Sequence, residues 1–323
     1  MALKKTVFGS RSEEKVFEHL NSVWGNKIRI YHNLPFAIIF DINTIDLKKY
    51  TNNIHLWKRF LLMTSVDFVV CNEKNKPLMC IEFDGISGGY NKGTKYFQDR
   101  NDKKRKNKLE LKLKIAKDHN LPFYIISYEE TWDLSESFDE SDLDSINLTV
   151  VDGIIGQTMK HQLLEDKVKE YLDFYDDSLN SMVEFEKNEF IQGLVIDAEV
   201  ELELKWDPIA IKAAIIEGIL SQKGIISTGG HRFIYKPELP EIKGFNDYEG
   251  LKKRIEAFKN VEWQGCEVYY DTPDGRIVKK AWIRNFDGMG ASPLIIVQNI
   301  ADLIIFYEIA KKYNIKIPKD YAI

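Results

Sequence analysis

The stretch Ser65–Gly85, SVDFVVCNEKNKPLMCIEFDG, decides how this chain reads. Two runs rich in Val, Ile, Phe and Cys flank NEKNK, which predicts a β-hairpin turning at Lys74 and Asn75. Yet Asp67, Glu82 and Asp84 stand where a core strand carries methyl groups. A symmetric antiparallel register sets Asp67 opposite Glu82, about 5 Å apart at Cβ. The two-residue strand period places Asp84 on the same face. Three ionised carboxylates on a half-buried face repel one another and resist desolvation unless a cation lies among them. An all-oxygen set suits Mg²⁺, with Mn²⁺ as a substitute, rather than zinc or copper.

Upstream, Glu13, Val16, Phe17, Leu20 and Trp24 recur at helical spacing, which predicts an amphipathic helix over Ser12–Val23. Glu13 falls on its apolar face, either as a further inward acid or as the capping-box partner of Ser10. KIRIYH, Lys27–His32, alternates like a strand, and a small helix is expected around Ile54–Leu61. Downstream of Asp84, the glycine-rich loop GISGGYNKGTKYF opens into the basic segment DKKRKNKLELKLKIAKDHN. A wheel at 100° per residue groups Leu109, Leu113 and Ala116, with Asp102, Arg105 and Lys112 within about 60° of that stripe. Lys108 lies further round. Lys103, Lys104, Arg105 and Lys106 make the opening turns a candidate nucleic-acid contact. PFYIISY then reads as a buried strand.

Helix, strand, D…ExD hairpin, loop, basic helix and strand follow one another in the order of an αβββαβ core. Through Glu13, SVDFVV, IEFDG and DKKRKNKL, this segment resembles the PD-(D/E)XK nuclease superfamily over residues 8–130. It is most similar there to the very-short-patch-repair-like branch and related uncharacterised bacterial nuclease-like domains. The resemblance implies that Asp67 and Glu82 hold Mg²⁺ and that Glu13 completes or organises the metal shell. The lysine usual two residues after the glutamate is replaced by Asp84, so the resemblance transfers the positive charge to Arg105, Lys108 or Lys112 of the following helix. The branch's histidine after the Asp-Gly pair is absent, because Ser87, Gly88 and Gly89 stand there.

At 323 residues the chain has room for two domains. Charged residues at 29% and hydrophobic ones at 44% describe an ordinary soluble composition. A net charge of −5 argues against indiscriminate coating of DNA, but leaves a local basic stripe effective. Cys71, Cys80 and Cys266 show no CxxC spacing, so neither a disulfide framework nor a structural zinc site is expected, and a reducing cytoplasm is the simpler reading. MALKKTVFGS lacks the apolar centre of a signal peptide, and no stretch is read as a membrane span.

The expected organisation is a nuclease-like domain at 1–131, an acidic linker at 132–150 containing WDLSESFDESDLDS, and an α+β domain at 151–323. In the second half, helices are expected at Gln162–Tyr175, Pro208–Leu220, Tyr248–Phe258 and Ile300–Tyr313. Leu194–Trp206 is read as a strand, STGGHRFIYKPELPEIKGF as irregular, and CEVYYDTPDGRIVKKAWI as a hairpin. His231 and Arg232, and Lys279, Lys280 and Arg284 beside Trp282, are candidate phosphate contacts that equally suit a solvated surface.

These readings converge on a Mg²⁺-dependent endonuclease that hydrolyses phosphodiester bonds of DNA, in restriction or phage defence. Asp67, Glu82, Asp84, Lys108 and Lys112 are the catalytic candidates, and Glu13, Asp67 and Glu82 the metal candidates. The second domain would choose the substrate, and a homodimer or a partner protein is compatible with that arrangement. The alternative is a catalytically silent nuclease fold that binds nucleic acid or regulates a defence or repair complex. A small-molecule enzyme is disfavoured, since neither a phosphate-binding glycine fingerprint nor a nucleophile–base pair stands out.

Overall fold

A computed structural model describes residues 8, 11–84, 103–127, 140–244, 246–286 and 290–318. The chain divides into two compact units, Met1–Glu130 with Phe286–Met289 and Thr131–Asn285 with Gly290–Ile323. Each has its own sheet and core.

The first unit runs α1 (Arg11–Trp24), β1 (Arg29–Pro35), α2 (Phe36–Ile39), α3 (Ile54–Met63), β2 (Ser65–Cys71), β3 (Pro77–Asp84), α4 (Lys103–Asp118) and β4 (Phe123–Ser127). The sheet order is β1-β2-β3-β4, with β4 parallel to β3 and the other pairs antiparallel. A parallel neighbour needs a crossover, which α4 supplies. Phe68 pairs with Ile81, Val69 with Cys80 and Val70 with Met79, the register expected from the hairpin, before a bulge shifts Cys71 onto Pro77. Asn75 takes the left-handed conformation in the turn, while the Asn72 side chain accepts from the Lys74 and Lys76 amides. The glycine-rich loop after Asp84 lies outside the described residues.

Strand alternation gives this sheet two dissimilar faces. Val69, Cys71 and Cys80 pack with Leu109, Ile115 and Ala116 of α4. Phe68, Val70, Met79 and Ile81 point the other way and are also buried. Val16, Leu20 and Trp24 form the buried stripe of α1, whose Phe17 ring meets His32, which in turn meets Phe68.

The second unit contains α5 (Glu140–Phe174), α6 (Asp176–Ser181), α7 (Glu184–Trp206), α8 (Pro208–Gln222), β5 (Gly229–Lys236), α9 (Tyr248–Phe258), β6 (Trp263–Thr272), β7 (Gly275–Arg284) and α10 (Pro293–Lys312). Its antiparallel sheet has the order β5-β6-β7. Four expectations are corrected here. Residues 140–150 of the supposed linker are helical, because Val150, Val151, Ile154 and Ile155 give α5 a buried stripe that carries the acidic turns along with it. Leu194–Trp206 is helical, because Leu194, Ala198 and Leu202 recur every four residues and are buried on α7. His231 and its neighbours form β5 through pairing with β6, a partner distant in sequence. The last helix begins at Pro293 rather than Ile300. It is apolar enough to pass for a membrane span by length and composition, contrary to the sequence reading, but most of that apolar stretch is buried inside the protein.

Asp207 locks the helices together. Buried at the start of α8, it accepts from the Ile209 and Ala210 amides and from the side-chain amides of Gln157 and Asn299. Gly156 permits this approach, since a Cβ there would stand 2.6 Å from the Trp206 carbonyl oxygen. Asp207→Ala removes a helix cap and strands two buried amide donors, so it should cost about 3 kcal/mol. Asp207→Asn, which keeps an acceptor, should cost less. Urea denaturation checks the order; equal stability of the alanine variant and the wild type would show that the network holds nothing together.

Candidate active site

The α4-facing side of the first sheet carries a polar island at one end. His32 pairs with Phe68 and Leu34 with Val66, so Asn33 and Asp67 lie opposite one another between them. The β2–β3 register continues Asp67 onto Glu82, whose other neighbour is Ile125 on β4. From above, α4 lowers Lys112 onto this row. Its ammonium donates to Glu82 and, at 2.6 Å, to the Ser65 carbonyl oxygen. The Ser65 hydroxyl donates to the Asn33 Oδ1. One connected set of side chains results: Asn33, Ser65, Lys112, Glu82 and Asp67.

Lys112 is only 6% exposed, although the helix that carries it is strongly basic. A buried ammonium is costly unless it is paired and hydrogen-bonded, and Glu82 with the Ser65 carbonyl meets that need. Glu82 has the harder position. Burial, above all, and then the neighbouring Asp67 charge push its carboxyl up to about 7 against the opposing pull of Lys112. The protonated carboxyl donates to Asp67. Near neutrality, burial and the adjacent Asp67 thus favour the protonated form of Glu82.

Other candidates go elsewhere. Glu13 lies 3.4 Å from His32 Nε2, in the aromatic group of Phe8, Phe17 and Phe68. Phe68 and Asp67 are adjacent on β2 and point to opposite faces, so this places Glu13 away from the Asp67–Glu82 row. The expectation of a Glu13, Asp67 and Glu82 triad is corrected: among the described residues no three His, Cys, Asp or Glu side chains form a metal-sized group. A helical wheel shows that an acid points inward, but not which side of the sheet receives it. Lys108 is likewise not brought to the row. It is exposed, with its ammonium 5.2 Å from the Phe60 ring centroid. Asp84 has its backbone in β3 opposite Ser127, while its side chain and those of Lys103, Lys104, Arg105 and Lys106 lie outside the described residues.

Sequence reasoning missed Asn33 and Ser65. Asn33 adopts a left-handed φ of 54° within β1, a conformation uncommon outside glycine and asparagine. Its signal was an asparagine interrupting the apolar alternation of IYHNLP directly across from an acid. Cys71 and Cys80 are buried and unpaired, and burial pushes both thiols up, so neither is poised as a nucleophile.

Residues 4–140 match the family model described as a protein of unknown function (DUF2726). The matched segment holds the whole first sheet together with Asn33, Ser65, Asp67, Glu82 and Lys112, and it ends at the first residue of α5. No curated protein and no solved structure matches the chain significantly.

A protonated carboxyl donating to a carboxylate beside a lysine is chemically suited to a hard divalent cation, which would replace that proton. Their linkage to stability has a definite sign. Glu82 binds its proton more tightly in the folded chain than at the ordinary carboxylate value of 4.5, so its contribution is full below about pH 4.5 and is lost as pH rises through about 7. Without divalent ions, the wild type should lose up to about 3 kcal/mol between pH 4.5 and 8 from this group. Glu82→Gln should flatten that slope. Urea unfolding at intervals over this range measures it, and an unchanged slope in the glutamine variant would refute the assignment.

Proposed function

We propose that the first unit is a restriction-endonuclease-like αβββαβ core and that the chain is a Mg²⁺-dependent nuclease hydrolysing phosphodiester bonds of DNA. The observation that carries this reading is the buried Lys112 set against the Asp67–Glu82 pair at one end of the sheet. A merely structural lysine on so basic a helix had many exposed positions open to it. Support for the core comes from the element order and from β4 running parallel to β3 after the α4 crossover.

The residues divide the work as follows. Asp67 and Glu82 would hold the cation, with Asp84 as the remaining nearby acid in sequence. When bound, Mg²⁺ supplies a water of lowered pKa and screens charge growing on the phosphate. Lys112 would orient the attacking water or stabilise the additional negative charge of the pentavalent phosphorus, a fixed charge that needs no reorganisation during reaction. The Ser65 carbonyl and Glu82 fix the direction of its ammonium. Asn33, through Ser65, braces the same end of β2.

This chemistry separates the nuclease from its rival, a silent nucleic-acid-binding fold. Incubation with plasmid, linear DNA and RNA in Mg²⁺, Mn²⁺ or EDTA should show cutting of DNA only with a metal present. Glu82→Ala should abolish it while the protein stays folded. Lys112→Met should lower the rate about 10²- to 10⁴-fold, and Lys108→Met, lying outside the row, by less than about tenfold. Full cutting by a folded Glu82→Ala protein would end the reading. Equal losses in the two lysine variants would reduce Lys112 to a general phosphate attractor.

A further inference from the structure

The second sheet sorts the cations that sequence analysis had left ambiguous. On the side packed by α10, His231 pairs with Asp302 at 2.7 Å and Lys279 with Glu308 at 2.8 Å, so these are tethers between strand and helix. The other side carries no comparably packed helix among the described residues of the unit. Cross-strand register defines its rows: Gly230, Tyr269 and Val278; Arg232, Glu267 and Lys280; Ile234, Gly265 and Trp282; Lys236, Trp263 and Arg284. Asp271 and Arg276 extend it towards the hairpin turn.

Two features make this side more than a solvated surface. The first is how its aromatic rings are held. Trp282 occupies the space above Gly265, where a Cβ would stand 2.5 Å from its Cε3, and Tyr269 covers Gly230 in the same manner. Each ring carries a cation. The Lys236 ammonium stands 4.1 Å from the Trp282 centroid, and the Arg276 guanidinium 4.2 Å from the Tyr269 centroid. Arg276 is held there by Asp271 through Nε and Nη2.

The second feature is charge. Arg232, Lys236, Arg276 and Lys280 are all exposed. The opposing acids on this side are Asp271, committed to Arg276, and Glu267, 2.9 Å from Lys280. The described side chains here are therefore net positive, in a protein of net charge −5.

We propose that this open face of β5-β6-β7 binds single-stranded nucleic acid. The rows of cations follow a phosphate backbone, and the Arg276 guanidinium stacked on the half-buried Tyr269 ring offers a cationic, planar surface to unstacked bases, while Lys236 covers the buried Trp282 and adds charge. A duplex keeps its bases stacked and denies them to such surfaces, which is why the single strand is the ligand. The proposal rests on the nuclease reading only for the choice of nucleic acid among polyanions, and it assigns the second unit the task of holding the strand.

The test is fluorescence anisotropy of labelled oligo-dT, oligo-U and a duplex with the full-length protein in EDTA, where no cutting intervenes. A face variant, Arg232→Gln with Lys236→Gln and Lys280→Gln, is compared with an equal-charge control, Lys223→Gln just after α8 with Lys252→Gln and Lys253→Gln on α9. Circular dichroism confirms that both are folded. The expected result is single-strand binding tighter than duplex binding and weakened by salt, reduced about tenfold or more in the face variant and less than about twofold in the control. Preference for oligo-dT or oligo-U assigns the sugar and supports the proposal either way. Absence of binding, equal loss in both variants, equal duplex affinity, or equal competition by poly-glutamate would overturn it. Cleavage is scored separately with Mg²⁺: a wild type that never cuts but binds through this face overturns the nuclease reading and leaves the surface standing.

Discussion

A half-buried carboxylate, Glu82, organises the first unit. It sits mid-sheet between Asp67 and Lys112, with one neighbour favouring its neutral form and the other its charged form. Burial raises its titration most, and Asp67 adds to that against the pull of Lys112, which is why it falls near neutrality. Replacing Glu82 and Lys112 by apolar residues would relieve the desolvation on both, and well-packed hydrophobic residues often match or exceed a buried pair in stability. The arrangement is thus poor engineering for stability alone. Under the proposed function, it leaves room for a cation to take the place of the Glu82 proton beside the two carboxyl groups.

The rest of the unit fixes where these side chains meet. The bulge between Val70 and Cys71 and the Asn72–Lys76 turn fix the hairpin register, which sets Asp67 against Glu82. A one-residue slip of β3 against β2 would turn Glu82 to the opposite face and part it from Asp67. The α4 crossover fixes the height of Lys112, because Leu109, Ile115 and Ala116 are buried around it and leave it little freedom to rotate outward. Arg29 and Tyr31 of β1 both donate to Asn75, tying the edge strand to the turn. Fold and site are therefore one construction in this half of the chain. In the other half they are separable, since Asp207 holds the helices at a distance in sequence from the cationic strands.

Legibility followed the range of the interactions. The hairpin was readable because register, turn and alternation lie within some twenty residues of sequence. The wheel set Lys112 nearer the buried side than Lys108, and Leu109, Lys112 and Ala116 are buried, but the buried face of α4 also takes in Leu111 and Ile115 and leaves Leu113 only partly covered. Glu13 was misassigned because its surroundings depend on which side of the sheet α1 covers, a choice no local pattern records. The VIDAEVELELKW segment satisfies both strand alternation and a four-residue helical repeat; only the partner face on α5, far away in sequence, decides between them. β5 was missed for the same reason: its pairing with β6 is long-range, and the surrounding Gly and Pro residues imitate a loop. Asn33 shows the remaining difficulty, an unusual backbone conformation that sequence suggests only as an interruption.

Under the proposed function, a divalent cation bound at Asp67 and Glu82 takes the place of the Glu82 proton. Calorimetric titration of Mg²⁺ into the full-length protein, repeated in buffers of differing protonation enthalpy, measures both the binding and the protons it releases. The expected result is a single site that releases close to one proton per ion at pH 6 and almost none at pH 8.5, where Glu82 is already ionised. Absence of Mg²⁺ binding, or binding with no proton release at pH 6, would contradict it.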